Sequence, residues 1–158
     1  MKHDLQRGVT LIEMLIVVTI IGIVAGVSAP AVTSGLDSLR LTTASGSAAS
    51  FLTSAMNRVE RREEAAAIVV TPAADLLAVY TAASADKPSS HLDLPQGIHI
   101  AAFPDGADSR RYLLFPGGTV PAIALVLRNG KGARRSIHVD PITGIPDIRR
   151  DEVPVPAK

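Results

Sequence analysis

Between Val9 and Ala29 a single charged side chain, Glu13, interrupts an otherwise apolar run. A helix over those residues rises about 1.5 Å per residue, which brings it to roughly the 30 Å of a bilayer's hydrocarbon core. The run therefore predicts a membrane-spanning segment over 9–29 and leaves the soluble core to the residues beyond it. Basic Lys2 and Arg7 precede it and Val27-Ser28-Ala29 closes it with small residues, the outline of a secretory signal peptide. Pro30 sits where that cut would fall and would impede it, and Glu13 lies inside what should be a charge-free region, so the ordinary signal peptide fits poorly.

Composition narrows the function classes. The formal net charge is +1 over 158 residues, and removing residues 1–8 takes away Lys2, Arg7 and Asp4, which leaves no global field favouring nucleic acid. Without cysteine there is no disulfide framework, no thiolate metal site and no lipid-modified cysteine. The absence of Trp and an aromatic content of 3% speak against stacking platforms for single strands.

An ionised carboxylate within a spanning helix costs several kcal/mol unless it meets a positive partner, which makes Glu13 a functional candidate on physical grounds. The bland alternative is that it snorkels to the headgroups, being close to the membrane face. The surrounding residues, Arg7-Gly8-Val9-Thr10-Leu11-Ile12-Glu13-Met14-Leu15, resemble the short-leader signal of type IV prepilins and pseudopilins. The resemblance implies that a prepilin peptidase cuts between Gly8 and Val9 and methylates the new amino group at Val9. It also implies that Glu13 pairs with the N-terminal amine of a neighbouring subunit during filament growth. Val9 departs from the phenylalanine usual in that family.

Past Pro30, apolar residues recur at three- and four-residue intervals through Leu36, Leu39, Leu41, Ala44, Ala48, Phe51, Leu52, Ala55, Met56 and Val59, one stripe of a helix. The reading is one long helix from Val9 to about Ala67, kinked at Pro30, with Asn57 to Glu64 as a solvated charged face. Gly22 and Gly26, spaced G-x-x-x-G, would permit close helix contact. Beyond the helix the period shortens and strands are expected at 67–71, 76–82, 97–102, 112–115, 123–128, 135–139 and 145–149. Asn129-Gly130 predicts a tight primed hairpin turn, Asp140 to Gly144 a second turn, and 87–90 a loop. The expected divisions are a leader (1–8), a transmembrane segment (9–29), its amphipathic continuation (30–67), a β-rich domain (68–153) and a tail (154–158).

A helix with one apolar stripe and a set of alternating strands bury both faces by packing together, which predicts an α+β architecture with antiparallel sheet on helix. That also resembles the type IV pilin fold. Leu94 to Ile100, Leu113 to Thr119 and Ile137 to Gly144 are similar to segments of the minor pseudopilin H group of type II secretion, which is related to FimT-type minor pilins. The resemblance implies a structural subunit of a filament that supports protein export across the outer membrane, anchored in the inner membrane with its C-terminal domain in the periplasm. Its implied partners are prepilin peptidase, other pseudopilins, the inner-membrane assembly platform and inner-membrane lipid. The alternative is a minor type IV pilin acting in pilus assembly or DNA uptake, with Arg110, Arg111, Arg134, Arg135, Arg149 and Arg150 as the candidate phosphate contacts.

Enzymatic chemistry finds no support in the sequence. His91, His99 and His138 lack metal-ligand spacing, and Asp105-Gly106-Ala107-Asp108 reads as a turn rather than a calcium loop. No G-x-S-x-G elbow or phosphate loop is present. The expectation is no catalytic residue, no metal and no cofactor.

Overall fold

The structure is a computed structural model of the 158-residue chain; it describes residues 9–84 and 86–151, except for the side chains of 27–34 and 151. The expected leader 1–8, with Gly8, and the tail 154–158 lie outside the described residues. The chain divides into two compact units, 1–36 and 37–158. One helix, α1 (Leu11–Arg62), contributes residues to both.

In the first unit the described large apolar side chains of α1 are exposed on every side, from Val17 at 44% to Leu11 at 85%. A helix apolar all round has no face that prefers water. Among the described residues no helix is long and apolar enough to cross a membrane. The stretch whose side chains are described, 11–26, rises roughly 24 Å, short of a bilayer core. The helical assignment runs unbroken through Pro30, while the bend expected there falls among 27–34, whose side chains lie outside the described residues.

In the second unit α1 presents a single stripe: Leu41, Ala44, Ala48, Leu52, Ala55 and Val59 are buried, together with Ser45. Their spacing of three and four keeps them on one face, and the small residues let backbone approach closely. The Ser45 hydroxyl donates to the Leu41 carbonyl at 2.7 Å, which satisfies it inside the core. Leu39, expected in the stripe, is 61% exposed.

The helix stops at Arg62, short of the expected Ala67. Glu63 turns left-handed at φ 52°, and β1 (Ala66–Thr71) begins at once. Residues 63–67 are good helix formers, but Ala66 and Ala67 sit in a strand bonded on both sides, and tertiary pairing overrides their propensity.

The strands form two antiparallel sheets. Sheet A has the order β3 (Ser90–Leu92), β2 (Leu76–Thr81), β1, β5 (Arg110–Leu114). Sheet B has the order β4 (Ile98–Ile100), β6 (Ala124–Asn129), β7 (Arg134–Val139), β8 (Pro146–Asp151). The chain thus leaves sheet A for β4, returns for β5 and leaves again. Strand β3 is absent from the sequence expectation; Ser-His-Leu carries little strand signal and takes its place through pairing with β2.

Alternate residues of both sheets meet the helical stripe in one core: Ile68, Val70, Leu77 and Val79 from sheet A, Ile98, Ile100, Leu125, Leu127, Ile137 and Val139 from sheet B. This is the expected α+β architecture, a long helix packed against antiparallel sheets.

Turn chemistry fixes the register. The expected two-residue turn at Asn129-Gly130 is instead a three-residue loop, Gly130 to Gly132, with the Asn129 amide donating to the Ala133 carbonyl at 3.0 Å and Gly132 taking φ 85°. The Asn129 side chain rigidifies it, accepting from the Lys131 and Ala133 amides at 3.1 and 2.9 Å. Between β7 and β8, Asp140 Oδ1 accepts from the Ile142 and Thr143 amides at 2.7 and 3.0 Å, as the Asp-Pro-x-x-Gly pattern predicts. Those amides hold the Asp140 carboxyl below the usual carboxylate range, Thr143 contributing most.

Polar ties bind the sheets to one another and to α1. Glu60, expected on a solvated face, accepts from the Gly117 amide at 3.2 Å and pins the 115–118 turn to the helix. Asp75, left-handed at φ 49°, takes the Ile100 amide at 2.8 Å and faces His99 Nδ1 at 2.7 Å, joining the β1–β2 turn to β4. Near the other end of the stripe Lys131 reaches Asp37 at 2.9 Å and Arg135 donates to the Thr42 hydroxyl at 2.9 Å.

Truncating the stripe is expected to be costly where it is buried and cheap where it is not. Leu52→Ala should cost about 2–5 kcal/mol in denaturant unfolding, because Leu52 is fully enclosed. Leu39→Ala should stay within about 0.5 kcal/mol of the parent.

Candidate functional site

The candidate site is the head of α1, where the apolar helix and its one acid begin. Val9 and Thr10 precede the first helical residue, Leu11. Thr10 caps the helix: its hydroxyl accepts from the Glu13 amide at 3.3 Å, and its carbonyl accepts from the Met14 amide at 3.2 Å. Sequence reasoning misses Thr10, although Thr-x-x-Glu is a capping-box pattern that marks a helix start.

Glu13 therefore has a local role as well as the implied one. It stands in the first turn of α1, where a carboxylate is favoured by the unsatisfied amides and the helix dipole. Its side chain is exposed, and no ion pair to it is formed among the described residues. The local role accounts for an acid at this end of a helix, but it leaves the carboxylate available to a partner outside the chain. Val9, 62% exposed, lies one turn before it. Among the described residues Gly22 and Gly26 have open space where a Cβ would stand.

Elsewhere the structure separates residues that are neighbours in the sequence. Successive strand residues point to opposite faces, so each arginine doublet is split. By register Arg110 lies in line with buried Val70 and Arg111 with outward Val69; Arg135 and Arg150 share one face of sheet B while Arg134 and Arg149 share the other. Several are also neutralised or engaged. Arg110 pairs with Asp105 at 2.7 Å over the Phe103 ring, a contact that holds Asp105 below the usual carboxylate range. Arg149 pairs with Asp147 at 2.7 Å. The six arginines make no single basic face for a phosphate backbone.

The histidines are likewise dispersed. His99 faces Asp75, His91 lies 3.6 Å from Asp93, and His138 sits opposite Ala124 and Asp147 on sheet B. Among the described residues no three His, Asp or Glu side chains gather as a metal site. The turn expected at 105–108 is present, with the Ala107 amide bonded to Asp105 and Gly106 at φ 74°.

Removing the cap tests the local geometry. Thr10→Ala should cost the first turn roughly 1 kcal/mol, read as faster amide exchange at Glu13 and Met14 with no change in the β-rich unit.

Two comparisons with known proteins, the curated sequences and the solved structures, give no match to the chain. A third does: residues 4–29 match the family model described as the prokaryotic N-terminal methylation motif. That is the N-terminal signal of the type IV pilin and pseudopilin class, and it implies processing by a prepilin peptidase. The chain is pilin-like in two respects: this signal at its head, and a long helix packed against antiparallel sheets behind it.

Proposed function

We propose that the chain is a pseudopilin, a structural subunit of the periplasmic filament of a type II secretion system, of the minor H type. The observation that carries the reading is the methylation-motif match at the head of a helix whose described apolar side chains up to residue 26 are exposed. Cleavage falls between Gly8 and Val9, and Val9 carries the methylated amine. The segment 9–29 anchors the precursor in the inner membrane, and Pro30 bends the helix where it leaves the bilayer. Released from the leader, the same segment packs laterally against the helices of neighbouring pseudopilins, passed to them by the inner-membrane assembly platform.

Glu13 supplies the specificity of that step. The α-amine at Val9 and the carboxylate at Glu13 are both costly at membrane depth when alone, and a subunit that docks one against the other removes both costs together. A neighbour misplaced along the helix axis leaves two charges unpaired, so the pair sets axial register. The 37–151 unit, built on the continuation of α1, then presents the filament's outer surface. This is mechanical work and requires no catalytic group.

The test is Glu13→Ala in cells that express the peptidase and the other filament subunits. The variant should be processed normally, yet its share of the filament fraction should fall by about an order of magnitude or more. Incorporation at the parental level would show the carboxylate to be dispensable and would remove its role in setting register.

A further inference from the structure

Among the described residues the two sheets end on four strands, β3 and β5 in sheet A and β4 and β8 in sheet B. A sheet edge presents backbone amides and carbonyls that template the addition of a further strand, and folded chains blunt it with short strands, proline, charge or a covering turn. The fold does this at three of the four. Strands β3 and β4 are three residues each, and Asp75 in the β1–β2 turn takes the Ile100 amide of β4. Strand β8 opens on Pro146 and is charged at Asp147, Arg149, Arg150 and Asp151. Strand β5 has five residues, no proline and an uncharged second half, Tyr112-Leu113-Leu114. Its inward charge, Arg110, stands at the first residue, where Asp105 neutralises it at 2.7 Å above the Phe103 ring.

Every second residue of an antiparallel strand turns its amide and carbonyl away from its partner. Among the described residues β1 is the one strand beside β5, and the backbone of 110–114 forms no hydrogen bond outside that pairing. The side chains along this edge say what a further strand would carry. Arg111 and Leu113 stand two residues apart on the outward face, and Leu113 and Phe115, 54% and 57% exposed, line a shallow groove with Ala67 and Tyr80. Exposed Arg111 makes no hydrogen bond or ion pair among the described residues. Residues opposite one another on paired strands interact directly. A strand laid antiparallel on β5 therefore sets one residue beside Leu113 and, two residues later, another against Arg111, where a carboxylate complements the guanidinium.

We infer that the open edge of β5 accepts an extended segment of a different protein, paired antiparallel, with an apolar residue beside Leu113 and an Asp or Glu two residues later against Arg111. Antiparallel pairing is the mode of every strand pair in both sheets. Backbone bonds hold such a segment, and the two side-chain positions select it. A second copy does not meet the description at its own open edge, since β5 carries two arginines and no acid. Pro116, two residues past the strand, has no amide to donate and confines the added ladder to about the length of β5. The surface belongs to the 37–151 unit, so the inference does not depend on the filament reading.

The probe is a capped, fluorescein-labelled peptide, Thr-Val-Thr-Val-Thr-Glu-Thr, added at up to millimolar concentration to the 158-residue chain in detergent micelles. It should bind saturably and slow amide exchange within 110–114. Two N-methylated versions separate backbone pairing from side-chain contact, one blocked at the threonine amides and the other at the valine and glutamate amides. One set faces β5 and the other faces solvent, so one version should bind about tenfold more weakly and the other close to the parent. Glutamine in place of the peptide's glutamate should weaken binding roughly two- to fivefold to the parent chain and leave binding to Arg111→Ala unchanged. No saturable binding, equal affinity of the two N-methylated peptides, or protection that falls outside 110–114 overturns the inference. Dimer formation with protection of 110–114 in concentrated protein without peptide gives the edge to a second copy and overturns it as well.

Discussion

The fold depends on one stripe of a helix. From Leu41 to Val59 the buried positions of α1 are mostly small, and two sheets of four strands reach it from different parts of the chain. The sheets share strands of the sequence in alternation, so neither can form fully before the chain has crossed between them. The stripe is the surface common to both, and dispersion and apolar burial along it hold the second unit together. The polar ties of Glu60 to Gly117 and Asp75 to Ile100 add direction to that packing, since one engages an amide of the 115–118 turn and the other an amide of the edge strand β4.

The same helix meets a different problem at its other end. Between Leu11 and Gly26 it has the length of several turns, apolar residues on all faces and no sheet to cover them. Two solvents are implied by one element: water and protein around the second half, an apolar medium around the first. On the filament reading that medium is the bilayer before assembly and neighbouring helices after it. Glu13 then matters because it is the single charge in the run, and because Thr10 fixes it in the first turn, one turn from Val9.

Much of this is legible in the sequence where the signal is local. The helical stripe, the α+β class and the turn at Asp140–Gly144 follow from periodicity and turn chemistry, and seven of the strands fall within a few residues of their expected places. The features that are not legible depend on distant partners. The helix ends at Arg62 because Ala66 and Ala67 find strands on both sides, which no propensity of alanine foretells. Strand β3 exists through β2, and His99 gains Asp75 across 24 residues of sequence. The arginine doublets are adjacent in the sequence and divided in space because a strand alternates. Thr10 is the contrary case, a local pattern present in the sequence and masked by the louder signal around it.

On the filament reading the chain begins its working life at Val9, as a helix anchored by its head. Intact-mass measurement of the chain isolated from membranes, with and without an active prepilin peptidase, puts this to the test. The expected mass equals residues 9–158 plus one methyl group when the peptidase is present, and the full-length chain when it is absent. A mature protein that starts at any other residue, or one recovered from the periplasm without the apolar segment, would contradict the reading.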